Sequence, residues 1–150
     1  MFKLIDEYLM RHLSLALEEA HTLHDQYLSN YGLAVEGVVR HHGIDPLHFN
    51  EQVDDALPLD ELLGTDQKLR AILQAMDKSK VKLWLFTNAY VDHGMRVVRL
   101  LGIDDLFEGI TYCDYAALPM LRKPQKGMFQ KAMREAGAKE GRECYFIGMY

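Results

Sequence analysis

Two cysteines, Cys113 and Cys144, are all that this sequence of 150 residues contains, too few for a disulfide framework and consistent with a reducing cytoplasm. No run of about 18 apolar residues occurs, so no membrane span is encoded. An excess of positive charge is missing too: the formal net charge is −5, which argues against nucleic-acid binding. There is no internal repeat and no low-complexity tract. The opening Met1-Phe2-Lys3-Leu4-Ile5-Asp6-Glu7-Tyr8 carries acids at helical spacing, unlike a secretory signal. What is present, 49% hydrophobic and 26% charged residues, is the composition of a soluble globular domain, or of one domain with an inserted subdomain.

Charge is split unevenly along the chain. Residues 1–75 hold 5 basic against 13 acidic side chains, whereas residues 76–150 hold 12 against 9. The basic half suits a small anionic ligand, although a solvated surface of uneven charge would look the same.

Residues 1–75 read as helices. Met1, Ile5, Tyr8, Leu9 and Leu13 line one helical face. A second helix, carrying Leu17, Ala20, His24, Tyr27, Leu28 and Tyr31, stops at Gly32, and a third spans Ala34 to His42. Asp45-Pro46 offers an N-cap with proline at the first helical position, Leu57-Pro58-Leu59 breaks that segment, and Thr65 or Asp66 caps another helix. From residue 81 the texture alternates. Val81 to Thr87 reads as a buried strand, Tyr90–Leu101 as a helix, Gly109 to Cys113 as a short strand, 125–136 as a helix and 143–147 as a last strand. Strand–helix–strand–helix–strand predicts a parallel α/β sheet. The expected organisation is a helical subdomain at 1–75 and an α/β core at 76–150.

The abrupt change from Leu85-Phe86 to Thr87-Asn88 falls at the carboxyl end of the first strand, the edge where open α/β sheets bind ligands. Thr87 and Asn88 can hold a phosphate through the hydroxyl and the turn's N–H groups, helped by the dipole of the following helix. Lys123, fixed before Pro124, can neutralise phosphate oxygens. Each has a plainer reading alone, Thr87 as a helix cap and Lys123 as a solvated loop lysine. Seven histidines invite a metal reading, but no acidic or thiol ligands complete a site with His21/His24 or His41/His42, which read as surface or partly buried histidines. Tyr8, Tyr27 and Tyr31 read as core rather than base-stacking platforms. Asp114 reads as a turn or cap.

Leu83-Trp84-Leu85-Phe86-Thr87-Asn88-Ala89-Tyr90, Arg96-Val97-Val98-Arg99-Leu100-Leu101-Gly102-Ile103 and Leu106 to Tyr115 closely resemble the haloacid dehalogenase superfamily. More narrowly they are similar to its fungal pyrimidine 5′-nucleotidase branch. Tyr31-Gly32-Leu33-Ala34 and Val53-Asp54-Asp55-Ala56-Leu57-Pro58-Leu59 resemble the helical cap of that branch. The resemblance implies a Rossmann-like core with a helical cap, and a small phosphorylated metabolite, a nucleoside monophosphate, as partner. It matches Thr87 and Lys123 to the phosphate-binding residues of the second and third family motifs.

The family hydrolyses phosphate monoesters through an aspartyl-phosphate, with magnesium offsetting phosphoryl charge. Those steps need a D-x-D motif on a central strand and further acids on a later strand. Here the chain begins within the first cap helix, and Gly148-Met149-Tyr150 stands where the pattern places two aspartates. The expectation is an incomplete core truncated at both ends, with no catalytic residue or metal ligand of its own, magnesium belonging to the full-length family and not to this chain. Such a chain would be a very poor phosphatase, a non-catalytic phosphate- or nucleotide-binding protein, or a ligand-free interaction module. Missing its central neighbour, strand 81–87 would also offer an unpaired edge for self-association.

Overall fold

The computed structural model describes residues 2–148. Contacts divide it into two compact units: the residues through Pro58 together with Asp114–Met120, and Leu59–Cys113 together with the segment from Leu121 onward. The boundary expected at residue 75 therefore falls differently. Residues 59–75 pack with the second unit, and the loop 114–120 joins the first.

The first unit is built on four helices: α1 (Phe2–Leu13), α2 (Leu17–Tyr31), α3 (Ala34–His42) and α4 (Pro46–Val53). α1 packs on α2 and α4, and α3 packs on the same two, which closes a ring. Ile5, Tyr8, Leu9, Ala20 and Tyr27 are buried as the helical periodicity selects, whereas Leu17, expected on the same face of α2, is 60% exposed; Val38, Phe49 and Val53 are buried with them. Left-handed glycines end α2 and α3: Gly32 at φ 72° and Gly43 at φ 63° turn their N–H groups back to Leu28 and Val39. Asp45 caps α4 by accepting from Leu47 N–H, with Pro46 at the first position. Gly37 is required by packing, since a Cβ there would lie 2.2 Å from the Tyr27 ring. From the loop 114–120, Tyr115 Oη donates to the buried Asp54 carboxylate at 3.2 Å. Asp114 accepts from Ala116 N–H at 3.0 Å, a turn role as expected.

The second unit contains α5 (Leu59–Leu62), α6 (Gln67–Gln74), β1 (Trp84–Phe86), α7 (Val91–Leu100), β2 (Gly109–Thr111) and α8 (Lys126–Ala136). β1 and β2 are parallel, with Trp84 opposite Gly109, Leu85 opposite Ile110 and Phe86 opposite Thr111. The α/β class holds, as a small two-stranded parallel sheet among helices. Both strands are shorter than predicted, and β1 is half-buried rather than buried. Residues 143–147, predicted as a third strand, form none: a short 3₁₀ turn over Gly141–Glu143 leads into irregular chain. Tyr145 and Ile147 are 93% and 86% exposed, while Phe146 packs edge-on against Phe86 and Phe129. An apolar run becomes a strand only where a neighbour accepts its ladder, and none of the described strands does so here. The core of this unit gathers Val98, Ile103 and Leu106 with Leu69, Leu73, Leu83, Leu85, Met95, Leu101 and Phe107.

Candidate functional site

The carboxyl end of β1 is made by a change in hydrogen bonding. Thr87 N–H still donates to Thr111 O at 3.0 Å, which extends the ladder one step past Phe86. Thr87 Oγ1 then accepts from Ala89 N–H at 3.0 Å, a local turn that ends strand geometry. α7 begins four residues later behind Tyr90, with no side-chain cap, so Thr87 is not its cap. Gly94 lets α7 approach the strand ends, because a Cβ there would lie 3.1 Å from Ile110 Cδ1 and 3.3 Å from Thr87 Cγ2.

Asn88 does something the sequence did not announce. Its Oδ1 accepts from Lys123 N–H at 2.7 Å, and its Nδ2 donates to Lys123 O at 3.2 Å. The loop bearing Lys123 is thereby fastened beside the strand end. Lys123 Nζ donates to Phe86 O at 2.9 Å and lies over the rings of Phe86 and Phe146, 5.0 and 5.4 Å from their centroids. Burial pushes its pKa down, and among the described residues no carboxylate pairs with it. One of its three N–H donors is used by Phe86, so donors remain for an anion.

The three expected residues are thus brought to one strand end, but they divide the work. Thr87 presents a hydroxyl, Lys123 a charge, and the Asn88 side chain is committed to the Lys123 backbone. The dipole of α7 adds a positive end, partly complemented by Asp92 in its first turn. Magnesium takes carboxylate and other hard oxygen ligands. A cluster of ammonium, hydroxyl and engaged amide does not fit that ion; it fits an anion. Sequence reasoning also missed that Asp6 is buried against His21 and His24, an acid supplied by α1 to a histidine pair on α2.

The sequence matches haloacid dehalogenase-like hydrolases over residues 6–148. The chain belongs to that family. Among curated proteins it is 41% identical, over 138 residues, to Phosphate metabolism protein 8 of Saccharomyces cerevisiae. That match covers 87% of this chain and 43% of the relative, so the chain spans less than half the length of the curated protein it matches. The geometry above is one that an anion can use.

Proposed function

We propose that this chain is a phosphate-monoester-binding member of the haloacid dehalogenase-like hydrolases, of the pyrimidine 5′-nucleotidase kind. Thr87 and Lys123 meet the phosphate, and Asn88 positions the lysine. The observation that carries this reading is the fastening of Lys123, from 35 residues away, to the end of β1 by both polar atoms of Asn88. Within the reading, residues 2–58 act as the cap and the sheet-bearing unit as part of the core. The sequence carries no Asp-x-Asp pair, and within this reading the chain alone is expected not to turn over. The name of the yeast relative, a phosphate metabolism protein, is in keeping with a phosphorylated ligand.

The test combines phosphate release from uridine and cytidine monophosphates, with magnesium, and ligand-induced thermal shift. Expected is a shift lost in Lys123→Ala, without turnover. Turnover abolished by Thr87→Ala would overturn the claim of inactivity, and the absence of any shift would leave the ligand-free module standing instead.

Self-association through β1 belongs to the same proposal. Its one described ladder neighbour is β2; on the opposite edge Lys123 Nζ already takes Phe86 O, so a second copy would pair along the rest of Trp84–Phe86 or displace that ammonium. Sedimentation velocity should show concentration-dependent mass; a monomer at every concentration would refute this point.

A further inference from the structure

Asp6 lies on α1 and is 7% exposed. One helical face of α2 turns His21 and His24, three positions apart, toward it. Each carboxylate oxygen of Asp6 meets one ring nitrogen: Oδ1 is 2.8 Å from His24 Nδ1, and Oδ2 is 3.1 Å from His21 Nδ1. The three ligand atoms lie within 4.8 Å of one another. Ligand bonds of about 2.0–2.2 Å place neighbouring donors roughly 3–3.5 Å apart around a four-coordinate ion. Small rotations of the three side chains reach that arrangement.

Two further observations separate this cluster from an ordinary buried ion pair. Among the described residues, no lysine or arginine pairs with Asp6, whereas buried Glu36 of the same unit pairs with Arg40 at 2.7 Å. His24 is 1% exposed, and among the described residues its Nε2 has no hydrogen-bond partner, so the polar contact described for this buried ring runs through the nitrogen facing Asp6. The cluster is also open on one side, since the His21 side chain is 60% exposed and gives an ion a way in. Behind His21, Asp25 Oδ2 stands 3.7 Å from Nε2. When a metal takes Nδ1, the ring proton moves to Nε2, and a carboxylate there orients the ring.

We propose that Asp6, His21 and His24 form a binding site for one divalent transition-metal ion of the zinc class, cross-linking α1 to α2. Two imidazoles and one carboxylate suit zinc, cobalt or nickel and not magnesium, which prefers an all-oxygen set. The site stands independently of any phosphate binding at Thr87 and Lys123. Because it ties two helices of one unit, occupancy raises the stability of the folded state in proportion to free metal.

The test uses the whole chain in a Cys144→Ser background, which removes the exposed thiol as a competing ligand. Cobalt(II) is titrated and its visible d–d absorption followed, zinc is then used to displace it, and magnesium serves as control. Expected are one equivalent of cobalt, displacement by zinc but not by magnesium, and a zinc-dependent rise in melting temperature. His21→Ala, at an exposed position that folding tolerates, should weaken binding by more than about tenfold, as should the near-isosteric Asp6→Asn. His41→Ala should leave it unchanged. Absence of a cobalt band, or a band unaltered in folded His21→Ala, would overturn the proposal.

Discussion

The side-chain amide of Asn88 grips the backbone of Lys123 by its N–H and its carbonyl together, at 2.7 and 3.2 Å. A strand end and a distant loop are thereby made one surface. Through this clamp the lysine's ammonium rests on the carbonyl of Phe86, where the strand stops.

Asn88→Ala removes both hydrogen bonds and leaves the Lys123 loop unfastened. The expected cost is about 1–3 kcal/mol in urea denaturation, with loss of nucleotide-induced thermal shift although no phosphate-facing group has been deleted. Asn88→Asp, which keeps the acceptor for Lys123 N–H, should retain part of both. Equal losses in the two variants would contradict the clamp.

Lys123→Met separates stability from binding. Burial lowers the lysine's pKa from its ordinary 10.5, so the unfolded chain holds this proton more tightly than the folded one. At pH 7 the group is charged in both states, and the full penalty of burying that charge is present. It is relieved only as pH rises through the lowered folded value toward 10.5. The variant should therefore melt higher than the parent at pH 7, with an advantage that shrinks toward pH 10. Phosphate-monoester affinity should fall by more than about tenfold, the worth of a charge-assisted hydrogen bond.

Gly109→Ala should disrupt the sheet from the side away from the clamp. A Cβ at Gly109 would come 2.1 Å from Trp84 Cη2, and the indole is anchored by its Nε1–H to Thr111 Oγ1 at 2.9 Å. Overpacking of this kind costs about 1–3 kcal/mol. Trp84 is the single tryptophan, so its fluorescence reads the unfolding of this unit directly. Combining the change with Trp84→Phe should recover part of the loss, which a double-mutant cycle would measure.

Acid should weaken the helical unit. His42, hydrogen bonded through Nε2 to Tyr27 Oη at 2.7 Å, has its pKa lowered by burial and then by neighbouring His41. His12, stacked on Tyr8, is lowered by burial, by His48 and by Arg11. In both cases the unfolded chain takes up the proton first. Stability is then full above about pH 6.5 and falls as pH drops from 6.5 through the lowered folded values. Urea midpoints between pH 8 and pH 5 should decline, and less steeply in His42→Gln.

Much was legible in the sequence because it depends on neighbours in the chain. The helices of the first unit, the glycine stop at 32, the Asp45-Pro46 start and the turn at Asp114 all follow from local sterics and helical periodicity. The polar end of β1 was legible for the same reason, since Thr87 and Asn88 follow an apolar run. Three features turned on residues far apart in sequence. The side chain of Asn88 gives both its polar atoms to Lys123, 35 residues away, which no local pattern announces. The histidine pair on α2 reads in sequence as surface or partly buried, and α1 delivers a buried Asp6 to it. The run 143–147 had the composition of a strand but no ladder to join, because a strand's hydrogen bonds are made with another segment. Local sequence decided where helices start, stop and turn their apolar faces. Only the tertiary structure decided which polar atoms those elements spend on each other, since hydrogen bonds and desolvation act through space and not along the chain.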